Sequence, residues 1–194
     1  MAELEFFYDF VSPYSYLAST RVEAVAADAG ATLRWRPFLL GGVFKSTGNK
    51  APIETVAKGR AMWTDLERWS RRLKVPLRRP TTFPFQPILA LRSALAAPAE
   101  ALPVLIHAVF KAAWADGRDI ADPAVLAAVL GEAGLDGAVL GAAAPGQKEA
   151  LAAQTQEAVA RGAYGAPTFF VGTELFVGND RLDFVEEALR AARR

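Results

Sequence analysis

A strand-like run that passes directly into a helix start, within residues 6–18, most constrains how this chain can fold. Residues 5–10 are apolar, aromatic and few, which is typical of a buried strand. Ser12 can cap a helix with its hydroxyl, and Pro13 suits the first helical position because the N–H of that position has no partner inside a helix. Such a helix end favours a bound anion through its free N–H groups and its dipole. Ser12 is therefore a candidate helix cap and a candidate ligand contact.

The distribution of charged and apolar residues along the sequence indicates which kinds of partner the protein can bind. The chain has 22 Lys and Arg against 21 Asp and Glu, a net charge of +1, with no long block of one sign. Nucleic acid is therefore not expected as a partner. Residues 1–8 contain two Glu and no basic residue, unlike a secretory signal, and no apolar segment is long enough to span a bilayer. We expect a cytoplasmic protein with no membrane partner.

The composition restricts the chemistry as well. The sequence has no cysteine, and His107 is its one histidine. Disulfides, a cysteine nucleophile and thiolate metal sites are thereby excluded, and histidine-rich zinc sites or a serine–histidine triad are poorly supported. We expect no metal site. Any sulfur chemistry must use sulfur that a ligand brings.

The first predicted elements form a β-α-β unit. Residues 5–10 and 32–40 have strand character. Residues 13–29 between them have helical spacing, and Gly30 is placed to end that helix. A helical crossover between two strands predicts a parallel pair with a right-handed connection.

A long helical block follows this unit. Residues 41–52 are rich in glycine and polar side chains, and residues 78–87 contain three prolines, so both are expected to be loops or connectors. The segments with helical patterns lie at residues 53–73, 88–96, 100–115, 123–133 and 147–161, and residues 137–145 are expected to form a short helix with a loop. Most of these segments are rich in alanine or leucine, which favours helices.

Strand character returns near the end of the chain. Residues 167–171 and 174–177 are short β-type runs joined by a two-residue glycine turn, which predicts a hairpin. Residues 181–192 have the pattern of a final helix, for which Asn179 or Asp180 is the expected cap.

The order of elements predicts an α/β chain with a thioredoxin-like fold, in which a helical domain is inserted between the β-α-β and the β-β-α halves. Residues 1–40 and 163–194 would form the thioredoxin-like domain, and residues 41–162 the inserted domain. The helix at residues 147–161 is open to assignment to either one. In such a fold the turn at Ser12 and the segment before the hairpin should meet beside the carboxyl ends of the strands.

Four separated motifs run in order along nearly the whole chain. They are YDFVSPYSYL at residues 8–17, TGN at residues 47–49 followed by Lys58 and Gly59, GAPTF at residues 165–169, and GNDRL at residues 178–182. Together they resemble the 2-hydroxychromene-2-carboxylate isomerases, a family close to kappa-class glutathione transferases and more distantly related to periplasmic disulfide oxidoreductases. The residues from Ser12 to Ser15 occupy the place of Cys-Pro-x-Cys in thioredoxin-like oxidoreductases, with hydroxyls instead of thiols.

The resemblance implies that glutathione is the cofactor. Ser12 would donate its hydroxyl to the glutathione sulfur and, with the helix dipole, favour the thiolate. Ala166 would pair its backbone with the cysteinyl unit in the manner of an added strand. Pro167 follows a cis peptide bond in relatives, whereas trans is the default for an X–Pro bond.

The same resemblance assigns the two ends of the tripeptide. Asn179 and Asp180 would hold the γ-glutamyl end, Asp180 through its charge on the ammonium, while Asn49 and Lys58 would hold carboxylate or amide groups. Taken singly, each residue has a plain alternative. Asn179 and Asp180 can cap the last helix, Asn49 can be a turn residue, and Lys58 can be a solvated lysine.

The function implied is a glutathione-dependent cis–trans isomerase of a small aromatic keto acid, as in the catabolism of aromatic compounds. It would convert 2-hydroxychromene-2-carboxylate to trans-o-hydroxybenzylidenepyruvate, because a thiolate that adds reversibly to a double bond leaves a single bond free to rotate. The substrate carboxylate needs a cation, for which Lys58, Arg78 and Arg79 are candidates. The alternatives are a kappa-like glutathione transferase and a non-catalytic thioredoxin-like binding protein. The oligomeric state stays open, and relatives allow a homodimer.

Overall fold

A four-stranded sheet lies at the centre of the computed structural model, which describes residues 2–192. Its strands are β1 (Glu3–Tyr8), β2 (Thr32–Pro37), β3 (Thr168–Val171) and β4 (Glu174–Val177), in the order β2-β1-β3-β4. β1 and β2 are parallel, and β3 is antiparallel to both β1 and β4. The predicted parallel pair and the predicted hairpin are both confirmed.

Helices cover the sheet and fill the long central part of the described chain. They are α1 (Pro13–Ser19), α2 (Val22–Asp28), α3 (Leu40–Thr47), α4 (Val56–Leu73), α5 (Ile88–Ala96), α6 (Leu102–Lys111), α7 (Pro123–Glu132), α8 (Gly137–Ala143), α9 (Lys148–Ala160) and α10 (Leu182–Ala191). The predicted α/β fold class is confirmed, while the domain boundaries stay a prediction. Within residues 2–192, no helix combines the length and the apolar character needed to cross a membrane.

The loop predicted for residues 41–52 is wrong over most of its length, because α3 occupies it. The backbone N–H groups at the start of α3 find partners far away in sequence. Leu39 N donates to Thr155 Oγ1 at 3.0 Å, and Leu40 N donates to a carboxylate oxygen of Asp9 at 2.8 Å. These tertiary hydrogen bonds satisfy donors that the local sequence leaves unpaired, and they stabilise a helix start that composition argues against.

The single helix predicted for residues 13–29 is also wrong, because the chain breaks into α1 and α2. Two hydroxyls bond to carbonyls of the preceding turn at this point. Ser19 Oγ donates to Tyr16 O and Thr20 Oγ1 donates to Leu17 O, both at 2.8 Å. Side-chain bonds of this kind compete with the regular helix and favour its end.

Aromatic packing on both faces of β1 fixes the strand that leads into the Ser12 turn. Phe6 stacks on Phe169 at 5.0 Å between ring centroids, and Phe7 meets Phe170 edge-on at 5.5 Å from the opposite face. Such ring pairs add to the free energy gained by burial alone. The strand is therefore held firmly up to the residue where the turn begins.

Trp114 joins the helical block to this turn. Its side chain is fully buried, and its Nε1–H donates to the carbonyl oxygen of Phe10 at 2.8 Å. Trp114 lies in a π-helical segment, Ala112–Asp116, that continues α6. The hydrogen bond thus connects a residue from the middle of the chain to Phe10, the second residue after β1.

Trp114→Phe should lower the free energy of unfolding by about 1–3 kcal/mol, because the Phe10 carbonyl loses its buried donor and a small void opens. Denaturant unfolding at fixed pH measures this difference. Trp63→Phe, at a half-buried position, is the matched control and should cost less. Equal losses in the two variants would mean that the bond to Phe10 contributes little.

Candidate functional site

Ser12 lies at the amino end of α1, immediately after the β1 strand and its turn. Its Oγ accepts a hydrogen bond from Ser15 N at 3.1 Å, so the predicted helix cap is confirmed. The same hydroxyl donates to the carbonyl oxygen of Ala166 at 3.0 Å. Ser12 is only 3% exposed, yet it forms part of the wall of a cavity. The hydroxyl that caps α1 is thus the same hydroxyl that is the candidate ligand contact.

The larger of two neighbouring cavities opens beside Ser12, with a volume of about 560 Å³. This is within the range of small-molecule sites, about 300–1,000 Å³. The Ser12 turn, the start of α3, the connector at residues 83–87 and the segment before β3 contribute to it. Its apolar wall includes Val11, Phe44, Ile53, Met62, Phe83 and Phe85. A flat apolar ligand suits such walls.

A few polar side chains interrupt this apolar lining. Asn49, Lys50, Lys58 and Gln86 all line the larger cavity. Asn49 Nδ2 donates to the Tyr164 carbonyl at 2.8 Å. Both lysines are exposed, and neither forms an ion pair with another residue of the described chain. The larger cavity therefore presents two ammonium groups that are available to anions.

The smaller cavity, of about 390 Å³, has the opposite charge. Asp65 and Asp180 both line it, and Tyr14 and Ala166 line both cavities, which are therefore adjacent. Tyr14 Oη donates to Asp65 Oδ2 at 2.9 Å. The pKa of Tyr14 is raised, first by burial and then by this hydrogen bond to Asp65, so the phenol keeps its proton. A ligand cation suits this end of the site.

Asp65 was not among the sequence candidates, although a signal for it exists. It lies on α4 together with Lys58, seven residues apart, and this spacing puts two side chains on one helix face. A helix that already carries one candidate contact on an inward face is the place to look for a second. Lys58 and Asp65 line different cavities, so one helix serves both.

The motif residues around β3 and β4 lie at or next to the two cavities. The Ala166–Pro167 peptide bond is cis, and Ala166 borders both cavities while Pro167 is buried behind it. Asn179 and Asp180 line the smaller cavity. The alternative in which they cap α10 is wrong, because no side-chain hydrogen bond caps that helix. Asn179 Oδ1 instead accepts from Arg21 Nη2 at 2.9 Å.

The connector arginines lie outside the lining of both cavities. The Arg79 guanidinium lies over the Trp63 ring, 4.7 Å from its centroid. Arg78 Nη1 approaches the Asp116 carbonyl at 3.5 Å. Of the three cations considered for a substrate carboxylate, only Lys58 lines the larger cavity, and Lys50 is a fourth that sequence reasoning missed.

Asp9, like Asp65, is an acidic residue that was not among the sequence candidates, although it lies within the first motif, at residues 8–17. It is completely buried at the end of β1 and lines the larger cavity. Burial raises the pKa of its carboxyl from 3.8 to about 7, while hydrogen bonds from Val11 N and Leu40 N oppose this rise. The sequence does contain a signal for Asp9: an acidic residue follows an aromatic strand and comes just before a helix start.

Comparison with known proteins shows what the whole chain is similar to. A model described as a DSBA-like thioredoxin domain matches residues 3–190. A curated relative from Sphingobium xenophagum, named 2-hydroxychromene-2-carboxylate isomerase, is 36% identical over 193 residues, which are 96% of this chain and 97% of the relative. Human glutathione S-transferase kappa 1 is 28% identical over 203 residues, 96% of this chain and 90% of that protein.

A solved structure also matches the whole fold. It is described as a selenomethionine form of 2-hydroxychromene-2-carboxylate isomerase, and it superposes with a TM-score of 0.89 at 29% identity. The match covers 99% of this chain and 96% of that one. The similarity therefore extends over the sheet and the helical block.

Proposed function

We propose that this chain, which belongs to the 2-hydroxychromene-2-carboxylate isomerase family among the DSBA-like thioredoxin domains, isomerises a small aromatic keto acid with glutathione as its cofactor. The predicted family and the predicted isomerase class are both confirmed. The reaction we propose converts 2-hydroxychromene-2-carboxylate to trans-o-hydroxybenzylidenepyruvate. One observation carries it: a helix-capping serine lines an aromatic cavity with lysines and donates a hydrogen bond to Ala166, which borders both this cavity and a smaller acidic one.

The charges of the two cavities match the two ends of glutathione. The γ-glutamyl end carries an ammonium and an α-carboxylate on one carbon. In the smaller cavity Asp65 and Asp180 supply carboxylates for the ammonium, and Asn179 supplies a side-chain amide. The glycyl end carries a carboxylate, for which Lys58 and Asn49 supply an ammonium and an amide in the larger one. Charge-assisted hydrogen bonds of this kind are stronger than neutral ones. The kinship with a protein named glutathione S-transferase also supports this cofactor.

Ser12 and Ala166 would exchange hydrogen-bond partners when the cofactor binds. Ser12 has a single O–H donor, and in this structure that donor points to the Ala166 carbonyl. Turning the hydroxyl towards the sulfur would free the carbonyl to accept the cysteinyl N–H, so that each polar group keeps a partner. Ser15 N would continue to donate to Ser12 Oγ throughout and hold it in place.

Stabilisation of the thiolate is the chemical role we propose for Ser12. The hydroxyl and the positive end of α1 both favour the charged sulfur, which lowers the pKa of a thiol that is otherwise about 8.5. When bound, glutathione supplies a thiolate that adds reversibly to the conjugated double bond of the substrate. The phenyl rings of Phe83 and Phe85 offer apolar surface to the aromatic substrate.

Isomerisation should require glutathione and should leave it unconsumed. Purified protein freed of small molecules would be assayed with and without glutathione, while the product and the free thiol are measured together. A transferase would consume one glutathione for each product formed. Catalysis at the full rate without glutathione, or no detectable binding of millimolar glutathione by calorimetry, would contradict the proposed cofactor.

Ser12→Ala should raise the pKa of the bound glutathione thiol towards its free value and reduce kcat, because the thiolate loses its hydrogen bond. The lost cap should also cost about 1 kcal/mol of unfolding free energy. Titration of the thiolate absorbance in the complex measures the pKa. Asp122→Ala is the matched control, since Asp122 caps α7 far from the site by accepting from Ala124 N and Val125 N. An unchanged thiol pKa in Ser12→Ala would remove the role of Ser12.

Lys50→Met should raise the KM for the keto acid about tenfold while the glutathione affinity stays nearly constant. The reason is that glutathione engages Lys58, so the second ammonium of the larger cavity remains for the substrate carboxylate. Loss of one charged hydrogen bond, worth about 1.5–3 kcal/mol, accounts for this size of effect. Lys45→Met, on α3 outside the cavity lining, is the control and should change neither constant. A raised KM in both variants would indicate general attraction of anions.

A further inference from the structure

We infer that Asp9 is a positioning residue for the proposed isomerisation, because its buried carboxylate holds the turn that presents Ser12 and the first turn of α3 together as two walls of one cavity. This inference rests on the proposed function. The Asp9 carboxylate is completely buried. Its two hydrogen bonds go to backbone N–H groups of the protein and not to the proposed position of the sulfur. It would act through Ser12 and Leu40.

Asp9 organises the Ser12 turn through two hydrogen bonds. Its Oδ1 accepts from Val11 N at 3.0 Å, and its main-chain carbonyl accepts from Ser12 N, also at 3.0 Å. An aspartate that bonds to the backbone two residues ahead fixes the path of a tight turn. The direction in which Ser12 leaves the strand is thus set by one carboxylate oxygen and the main-chain carbonyl of Asp9.

The other carboxylate oxygen reaches the opposite wall. Asp9 Oδ2 accepts from Leu40 N at 2.8 Å, at the first residue of α3. Leu40 lines the larger cavity, as do Ser12 and Asp9 itself. One side chain therefore bonds to the Ser12 turn and to α3 at the same time, and the spacing between these walls depends on it.

The ionised form of Asp9 suits these bonds better than a neutral one. A carboxylate has acceptors at both oxygens, whereas an asparagine would set its NH₂ group against one of the two N–H donors. A protonated carboxyl likewise places a donor on one oxygen. The hydroxyl oxygen of a protonated carboxyl is the weaker acceptor, so the two-sided contact is strongest when Asp9 carries a charge.

Burial sets the pH range in which this charge appears. The pKa of Asp9 is raised by burial to about 7, and Val11 and Leu40 lower it less than burial raises it. The other ionisable groups that line this cavity are Lys50, Lys58, Tyr14 and Tyr164, and the buried Tyr8 phenol precedes Asp9 in the chain and interacts with its charge. Since the folded pKa lies above the unfolded value of 3.8, the stabilising contribution of neutral Asp9 is complete below that value and is lost as pH rises through about 7. Across this range we expect activity to rise while stability falls.

The test compares Asp9→Asn with Thr155→Val. Thr155 Oγ1 accepts from Leu39 N, one residue before Leu40, so its loss weakens the same helix start but leaves the Ser12 turn alone. In the parent protein kcat should rise through an ionisation near pH 7 that is separate from the thiol titration followed by absorbance. Asp9→Asn should lose that ionisation and lower kcat about tenfold, with the KM for the keto acid within about twofold, because misplaced groups reduce turnover more than binding. Thr155→Val should keep the pH profile.

Amide hydrogen exchange supplies a second measurement that needs no substrate. Asp9→Asn should speed exchange at Val11 or Leu40, whereas Thr155→Val should speed it at Leu39. An Asp9→Asn variant with the parent kcat and pH profile would overturn the inference, and so would the same profile change in Thr155→Val. A parent protein that shows only the thiol ionisation would overturn it even if the variant did not fold. A parent protein with no glutathione-dependent activity would instead overturn the proposed function, and this inference with it.

Discussion

The hydrogen bond from Ser12 to the Ala166 carbonyl is the contact on which the site depends. It joins two residues 154 positions apart, one from the β-α-β half of the sheet and one from the β-β-α half. Neither half forms the site alone, because the Ser12 turn, the segment before β3 and the helical block between the two halves all line the cavities. The aromatic pairs on β1 and the bond from Trp114 to the Phe10 carbonyl hold one side of this contact, and strand pairing between β1 and β3 holds the other.

Opposite local charges matter more here than the net charge of +1. The acidic side chains of Asp65 and Asp180 face one cavity, and Lys50 and Lys58 face the other, so an extended zwitterionic ligand has one favoured direction. The direction places the middle of the ligand beside Ser12, where the helix end adds its own preference for negative charge.

The sequence near an element was enough to predict that element where its stabilising contacts come from neighbouring residues. The Ser12 cap, the parallel strands and the hairpin follow from residues near each element. Distant partners determine the rest. The start of α3 depends on Thr155 and Asp9, which no window around Leu40 contains. Asp65 belongs to the site only because α4 packs beside α1, and the state of the Ala166–Pro167 bond is a property of the folded chain.

Tyr14 stands between the two cavities and borders both, with its hydroxyl bonded to Asp65. The residues that face the aromatic cavity from the connector, such as Phe83 and Phe85, are absent from the lining of the acidic one. Substitutions in the connector can therefore reshape one compartment without disturbing the other. Over evolutionary time, a protein built in this way is free to change which apolar ligands fit its aromatic cavity while the lining of the acidic cavity is preserved.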